Sequence, residues 1–225
     1  MSNGFQVLKR KRHVDAVLAA AFRMLPVANI SDSMQRLIAG GPRLRPLHAG
    51  GAMSGPAVTV KTRPGDNLMT HMALNLAREG DVIVVDAGAD LTNAIIGERM
   101  IAYCVAKKFA GIVINGAVRD SAWIKAHNFP VYAAGVTHRG PYKDGPGEIN
   151  VPVAFDGMVI EPGDLVVGDD DGLVCVPYDQ TQEIYEKALA KFNYETETFP
   201  EIGKADNDFA GYSSKLKLLG CYFEE

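Results

Sequence analysis

Three runs in the middle of the chain are apolar without alternation: "DVIVVDAGA" from Asp81, "IVINGAV" from Ile112 and "PVYAAGV" from Pro130. A strand covered on one face alternates apolar and polar positions. A strand covered on both faces loses that alternation, so these runs predict buried strands. Between them the spacing changes. "LMTHMALNLAREG" places Leu68, Met72 and Leu76 on one helical face, and Gly80 offers a stop. "GERMIAYCVAKKFAG" predicts a helix from about Gly97 to Phe109, and "SAWIKAHNF" a shorter one. Ahead of these, Ala57 to Thr62 reads as a strand followed by the turn Pro64-Gly65-Asp66. Strand and helix therefore alternate over about residues 57–136, the pattern of a parallel sheet with crossover helices.

The flanks read differently. "VDAVLAAAFRML" predicts a helix closed by Pro26, and "ISDSMQRLIAGG" a short one capped by Ser31 or Asp32 and ended by Gly40 and Gly41. After residue 136 comes a Gly/Pro/charge loop, "THRGPYKDGPGEIN". A string of short strands follows, with turns at Asp156-Gly157, Pro162-Gly163 and Asp171-Gly172, which predicts antiparallel or mixed pairing. From Tyr178 the chain is helical and then polar. The organisation expected is one α/β domain over residues 1–225, with an N-terminal helix at 13–25, a core at 27–177 and a helical tail at 178–225.

Composition narrows the function classes. A formal charge of −4 and a pI near 5.8 give no general basic surface, so nucleic acid is not an expected partner. The basic stretch "LKRKRH", Leu8 to His13, reads as a solvated lead-in to the first helix. Cys104, Cys175 and Cys221 are scattered and form no CxxC pair, so neither a zinc site nor a disulfide framework is suggested. No apolar run is long enough to cross a bilayer and no signal-peptide pattern opens the chain, so a cytoplasmic location is expected.

In open parallel sheets, ligands sit beyond the carboxyl ends of the strands. Two such ends carry charge. One is "VVDAGAD" with Asp86 and Asp90, which leads into "IIGERM"; the other is "INGAVRD", ending in Arg119 and Asp120. Gly97 opens a helix, so the amides of Glu98, Arg99 and Met100 form a candidate anion site. Arg119 adds a planar, permanently charged fork. Asp120 is a hard oxygen donor suited to Mg²⁺ or Mn²⁺, ions that keep several waters. The competing reading of Arg119-Asp120 is a structural ion pair, and Glu98 reads equally as a first-turn acid favouring the helix dipole. The acidic run Asp169 to Asp171 reads as a hairpin turn. His71 and His138 have no partner at metal-ligand spacing, Lys61 is a weak Schiff-base candidate, and Ser54 and Ser121 have no visible base.

At these residues the chain resembles the RraA-like superfamily (regulator of ribonuclease activity A), which includes the 4-hydroxy-4-methyl-2-oxoglutarate / 4-carboxy-4-hydroxy-2-oxoadipate aldolases. The segments that carry the resemblance span about residues 27–177 and include "GPAVTV", "PGDN", "GDVIVVDAG", "GIVINGAVRD", "PVYAAGV", "INVPV" and "PGDLVVGDDDGLVCVP". The aldolase members have an acid, twenty intervening residues, then Arg-Asp, and a further acid three positions on. Here Glu98 takes the first place, Arg119-Asp120 match, and Trp123 stands where the last acid would be. The resemblance implies a swivelling α/β/β sandwich, assembled as a trimer or a dimer of trimers, with the active site between subunits. It implies a class II pyruvate aldolase with oxaloacetate decarboxylase activity. In that reading Asp120 holds the divalent ion, Arg119 and the amides after Gly97 hold a 2-oxo acid, and Glu98 orients a metal-bound water. Asn67 or Asp66 contacts the distal part of the substrate, and Glu195, Glu197 or Glu201 reaches a neighbour's metal waters. The alternative is a non-catalytic regulator of ribonuclease activity, a group that tends to lack the metal-binding aspartate. An older family label, demethylmenaquinone methyltransferase, ranks last because no glycine-rich nucleotide loop follows the first strand.

Overall fold

The structure, a computed structural model, describes residues 4–38, 40–201 and 209–224. Its elements in chain order begin with β1 (Phe5–Val7), α1 (Ala16–Phe22), α2 (Val27–Ser33), β2 (Arg45–Pro46) and β3 (Met53–Thr62). There follow α3 (Leu68–Leu76), β4 (Val82–Asp86), β5 (Ala94–Ile96), α4 (Glu98–Ala106), β6 (Gly111–Val118), α5 (Ser121–His127) and β7 (Val131–Val136). Then come β8 (Gly147–Ile149), β9 (Val153–Phe155), β10 (Met158–Ile160), β11 (Leu165–Gly168), β12 (Leu173–Val176), α6 (Thr181–Thr198) and α7 (Phe209–Leu218). Residues 1–189 and 190–225 form two compact units.

The main sheet runs β1-β8-β3-β4-β6-β7-β2, and its centre, β3-β4-β6-β7, is parallel throughout. The unalternating runs are the strands buried on both faces. Along β4 and β6, Ile83, Val85, Ile112 and Ile114 enter one core with Ile101 and Cys104 of α4 and Met69 of α3. Val82, Val84 and Val113 enter the opposite core with Phe155, Met158, Val166 and Cys175 from β9 to β12. Side chains alternate across a strand, so one sheet carries a helical layer on one face and a β layer on the other. The short strands pair antiparallel, β9 with β10 and β11 with both β12 and β3. This is the α/β/β arrangement implied by the resemblance.

Several flanking elements differ from expectation. The first helix covers residues 16–22 rather than 13–25, because the Asp15 carboxylate caps it by accepting from the Val17 and Leu18 amides. The second helix begins at Val27, not after Ser31 or Asp32. Its cap comes from 142 residues away: Asp169 Oδ2 accepts from the Val27 amide at 2.9 Å. The basic lead-in is not a solvated tail. Residues 5–7 form β1 on the sheet edge, Arg10 pairs with the buried Asp81 at 2.7 Å, and Arg12 bridges Glu161 and Asp179. Cys104 and Cys175 are buried in the two cores, and the Asp169-to-Gly172 segment closes as the expected turn, with the Asp169 amide donating to the Gly172 carbonyl. Among the described residues no helix is long and apolar enough to cross a membrane.

Candidate active site

The four parallel strands deliver their carboxyl ends to one edge of the sheet. There α3 follows β3, Gly97 and α4 follow β5, Arg119 follows β6, and the loop of residues 137–146 follows β7. Together they line a half-open cavity of about 460 Å³, within the usual range for small-molecule sites. On α3 and its cap, Asn67, His71 and Asn75 recur at helical spacing and line one wall. On α4, Arg99 and Tyr103 line another. Arg119 and Lys143 complete the polar lining, while Ile95, Ile96, Leu74 and Met100 supply the apolar part.

Of the sequence-identified pair, Arg119 lines this cavity and Asp120 stands next to it. Arg119 and Asp120 are both part-exposed, with Nε to Oδ2 at 3.6 Å, too long for a hydrogen bond. The pair is not a fork closed on itself in the core. Asp120 adopts a left-handed backbone, φ 60° and ψ 38°, which aspartate tolerates better than most residues. That turn aims its carboxylate back at α4, where Oδ2 accepts from the Glu98 amide at 2.9 Å. Gly97 makes the approach possible. A Cβ there would collide with Asp120 Oδ2 and lie 2.8 Å from Arg119 Cγ.

The start of α4 is less open than its sequence suggests. Asp120 takes the Glu98 amide, and the Met100 amide donates to the Gly97 carbonyl at 3.1 Å. Of the three first-turn amides, that of Arg99 is the one without a protein acceptor among the described residues. Glu98 and Asp120 flank wall residues in sequence but do not themselves line the cavity. Lys61, Asp86 and Asp90 also stand outside the lining. Asp86 accepts from Gly88 and Asn115, and Asp90 from Thr92, so both carboxylates serve their loops.

Asn67 lines the cavity and is nearly buried; its Nδ2 donates to the Ile95 carbonyl at 2.8 Å, while Oδ1 has no partner among the described residues. Asp66 does something else. Fully buried, it accepts from the amides of Leu68, Asp144 and Gly145 and pairs with Arg63. It is a structural anchor and does not line the cavity. Burial pushes its carboxyl up, but those amides and Arg63 outweigh it and hold it below the usual carboxylate range. The stability it contributes is therefore complete above the unfolded carboxyl range and lost as pH falls through the depressed folded value. Asp66→Asn should cost about 1–3 kcal/mol at neutral pH, and the gap to wild type should close in acid. Urea melts at both pH values check this; an unchanged gap in acid would show that the charge is not what matters.

The donor set fits one kind of metal. Among the described residues no three His, Cys, Asp or Glu side chains cluster to hold an ion. Asp120 offers one hard carboxylate, and its Oδ1 has no protein donor among the described residues. A single carboxylate suits Mg²⁺ or Mn²⁺, which retain most of their water, and does not suit zinc.

Sequence reasoning found Gly97, Arg99, Met100, Arg119 and Asn67, all of which the fold brings to the cavity wall. It left His71 as a structural residue and missed Asn75, Tyr103 and Lys143. The signal for His71 and Asn75 was their helical spacing from Asn67. Lys143 comes from a loop that carries no such signal.

The family described as RraA-like, Aldolase/RraA, matches residues 27–175. A protein of Halalkalibacterium halodurans, provisionally named 4-hydroxy-4-methyl-2-oxoglutarate aldolase, is 41% identical over 170 residues, covering 76% of this chain and 81% of the relative. The crystal structure of Streptomyces coelicolor RraAS2, described as an unusual member of the RNase ES inhibitor RraA family, superposes with a TM-score of 0.75 at 28% identity, covering 83% of this chain and 98% of that one. An uncharacterised protein from Pseudomonas syringae superposes with a TM-score of 0.77 at 25% identity, covering 87% of this chain and 96% of that one.

Proposed function

This chain belongs to the RraA-like family, and on that premise we propose that it is a divalent-metal-dependent aldolase. It cleaves a 4-hydroxy-2-oxo acid, such as 4-hydroxy-4-methyl-2-oxoglutarate, to pyruvate, and it decarboxylates oxaloacetate. The observation that supports this reading is that Arg119 and the Gly97 helix start line one cavity while the Asp120 carboxylate packs against both at its margin.

Both reactions break a bond to C3 of a 2-oxo acid and leave the electron pair as an enolate. When bound, Mg²⁺ or Mn²⁺ supplies Lewis acidity for the enolate oxygen and acidifies water in its shell. The chain supplies the rest. Asp120, whose carboxylate orientation is fixed by the Glu98 amide, would hold the ion. Arg119 donates its fork to the substrate carboxylate and counters the charge that builds beside it. The Arg99 amide is placed to donate to the same anionic end. Glu98, an exposed residue whose amide meets Asp120, would orient the water that takes the C4 hydroxyl proton. The site is completed in a homotrimer or hexamer by an acid from a neighbouring copy. Candidates are Glu195 and Glu197, in the last turns of α6, and Glu201, whose side chain lies outside the described residues.

The test is coupled detection of pyruvate from oxaloacetate and 4-hydroxy-4-methyl-2-oxoglutarate. Release should be stimulated by Mg²⁺, removed by EDTA and restored by excess Mg²⁺ or Mn²⁺. No release from any 2-oxo acid would contradict the enzyme reading. The likeness to RraAS2 supports a second reading, a regulator that binds an RNA-processing ribonuclease; it calls for stoichiometric inhibition of that ribonuclease without metal.

A further inference from the structure

Two walls of the cavity come from elements far apart in the chain. One is α3 with its cap Asn67, which follows β3; the other is the loop of residues 137–146, which follows β7 and supplies Pro141 and Lys143 to the lining. That loop has no helix and no strand beyond a single bridge at Tyr142. Its backbone must therefore be held by groups outside it.

Two side chains hold it, one on each side of the lining residues. Ahead of them, Asn93 Nδ2 donates to the Gly140 carbonyl at 2.6 Å. After them, the Asp144 and Gly145 amides donate to Asp66 Oδ2 at 2.7 and 2.9 Å. Between these points the Tyr142 amide donates to the Gly65 carbonyl at 2.8 Å, and the Tyr142 carbonyl accepts from the Asn67 amide at 3.0 Å. Asp66 does a second thing with the same carboxylate. Its Oδ1 accepts from the Leu68 amide at 2.9 Å, at the start of α3. One oxygen fixes the helix wall and the other fixes the loop wall. The group is fully buried, so water does not replace these bonds. Asp66 and Asn93 both stand outside the cavity lining.

We propose that Asp66, assisted by Asn93, is a positioning residue for substrate binding. It sets the spacing between α3 and the 137–146 loop, and through that spacing the affinity of the cavity between them. This rests on the reading of the cavity as the substrate site. Arg119 and Asp120 follow a different strand, β6, so the ion and the chemical step should change little.

The test is the kinetics of pyruvate release from oxaloacetate with Mg²⁺, set beside Mn²⁺ binding and amide hydrogen exchange of the full chain. Asparagine at position 66 has one oxygen where aspartate has two, so one wall loses its acceptor. Asp66→Asn should raise KM about tenfold with kcat within about twofold. Mn²⁺ affinity should match the wild type, and exchange should quicken at Leu68 or at Asp144 and Gly145. Asn93→Ala, at a part-exposed position, should raise KM in the same way by about threefold. A folded Asp66→Asn with wild-type KM, with its loss confined to kcat, or with unchanged exchange would overturn the proposal. If Asp66→Asn does not fold, Asn93→Ala decides by the same split between KM and kcat. A wild type that releases no pyruvate would overturn the substrate reading and the proposal with it, and that outcome shows before any variant is compared.

Discussion

Asp120→Asn abolishes metal-stimulated pyruvate release while the protein stays folded. Asparagine tolerates the left-handed backbone at this position and still offers an oxygen to the Glu98 amide. What it removes is the negative charge that the proposal assigns to holding the cation. The loss should be about 10²-fold or more, the scale of removing a Lewis acid or a principal charge stabiliser. Asp120→Ala should lose as much activity and also some stability, because it leaves the Glu98 amide unpaired and places alanine in a strained turn. Arg119→Ala should lose comparable activity by a different route, since the carboxylate grip goes while the ion stays. Pyruvate assays beside thermal melts separate these outcomes, and full metal-dependent turnover in both Asp120→Asn and Arg119→Ala would end the aldolase proposal.

Gly97→Ala is expected to silence the enzyme without touching either charged residue. The glycine backbone is extended, φ −152°, so alanine fits the chain conformation without strain. The new Cβ, however, meets Asp120 Oδ2 and lies 2.8 Å from Arg119 Cγ and 2.9 Å from its Nε. These are side-chain atoms that can swing away, so the fold survives and the site does not. A displacement of about 1 Å at reacting groups costs on the order of 10² in rate. Melting temperature should hold or rise slightly, because alanine lowers the entropy of the unfolded chain. A Gly97→Ala enzyme with near wild-type turnover would show that the close packing of Gly97, Arg119 and Asp120 is incidental to the chemistry.

What could be read from the chain depended on how local its causes are. The strands β4, β6 and β7 are legible because burial on two faces leaves uninterrupted apolar runs, and α4 because it buries Ile101 and Cys104; α3 forms where expected, but Leu68, Met72 and Leu76 are exposed and it is Met69, Ala73 and Leu74 that enter the core. The start of α2 was not legible, since its cap is supplied by Asp169 from across the fold. The edge strand β1 hides in a basic segment, and its register is set by pairing with β8, more than a hundred residues on. β2 and β5 are two and three residues long and carry no periodicity. At the site, Arg119, Asp120 and Gly97 stood out because each ends a strand or opens a helix. Two facts required the fold: the Asp120 carboxylate already occupies the Glu98 amide, and Asp66 is an anchor for the loop that carries Lys143.

A divalent ion held by Asp120 beside a keto acid held by Arg119 is the centre of the proposed chemistry. Electron paramagnetic resonance of Mn²⁺ titrated into the protein, with and without pyruvate, addresses that directly. The expected result is one bound Mn²⁺ per chain, held more tightly when pyruvate is present, with binding lost in Asp120→Asn and the pyruvate effect alone lost in Arg119→Ala. Mn²⁺ bound equally well by wild type and Asp120→Asn, or indifferent to pyruvate in the wild type, would contradict it.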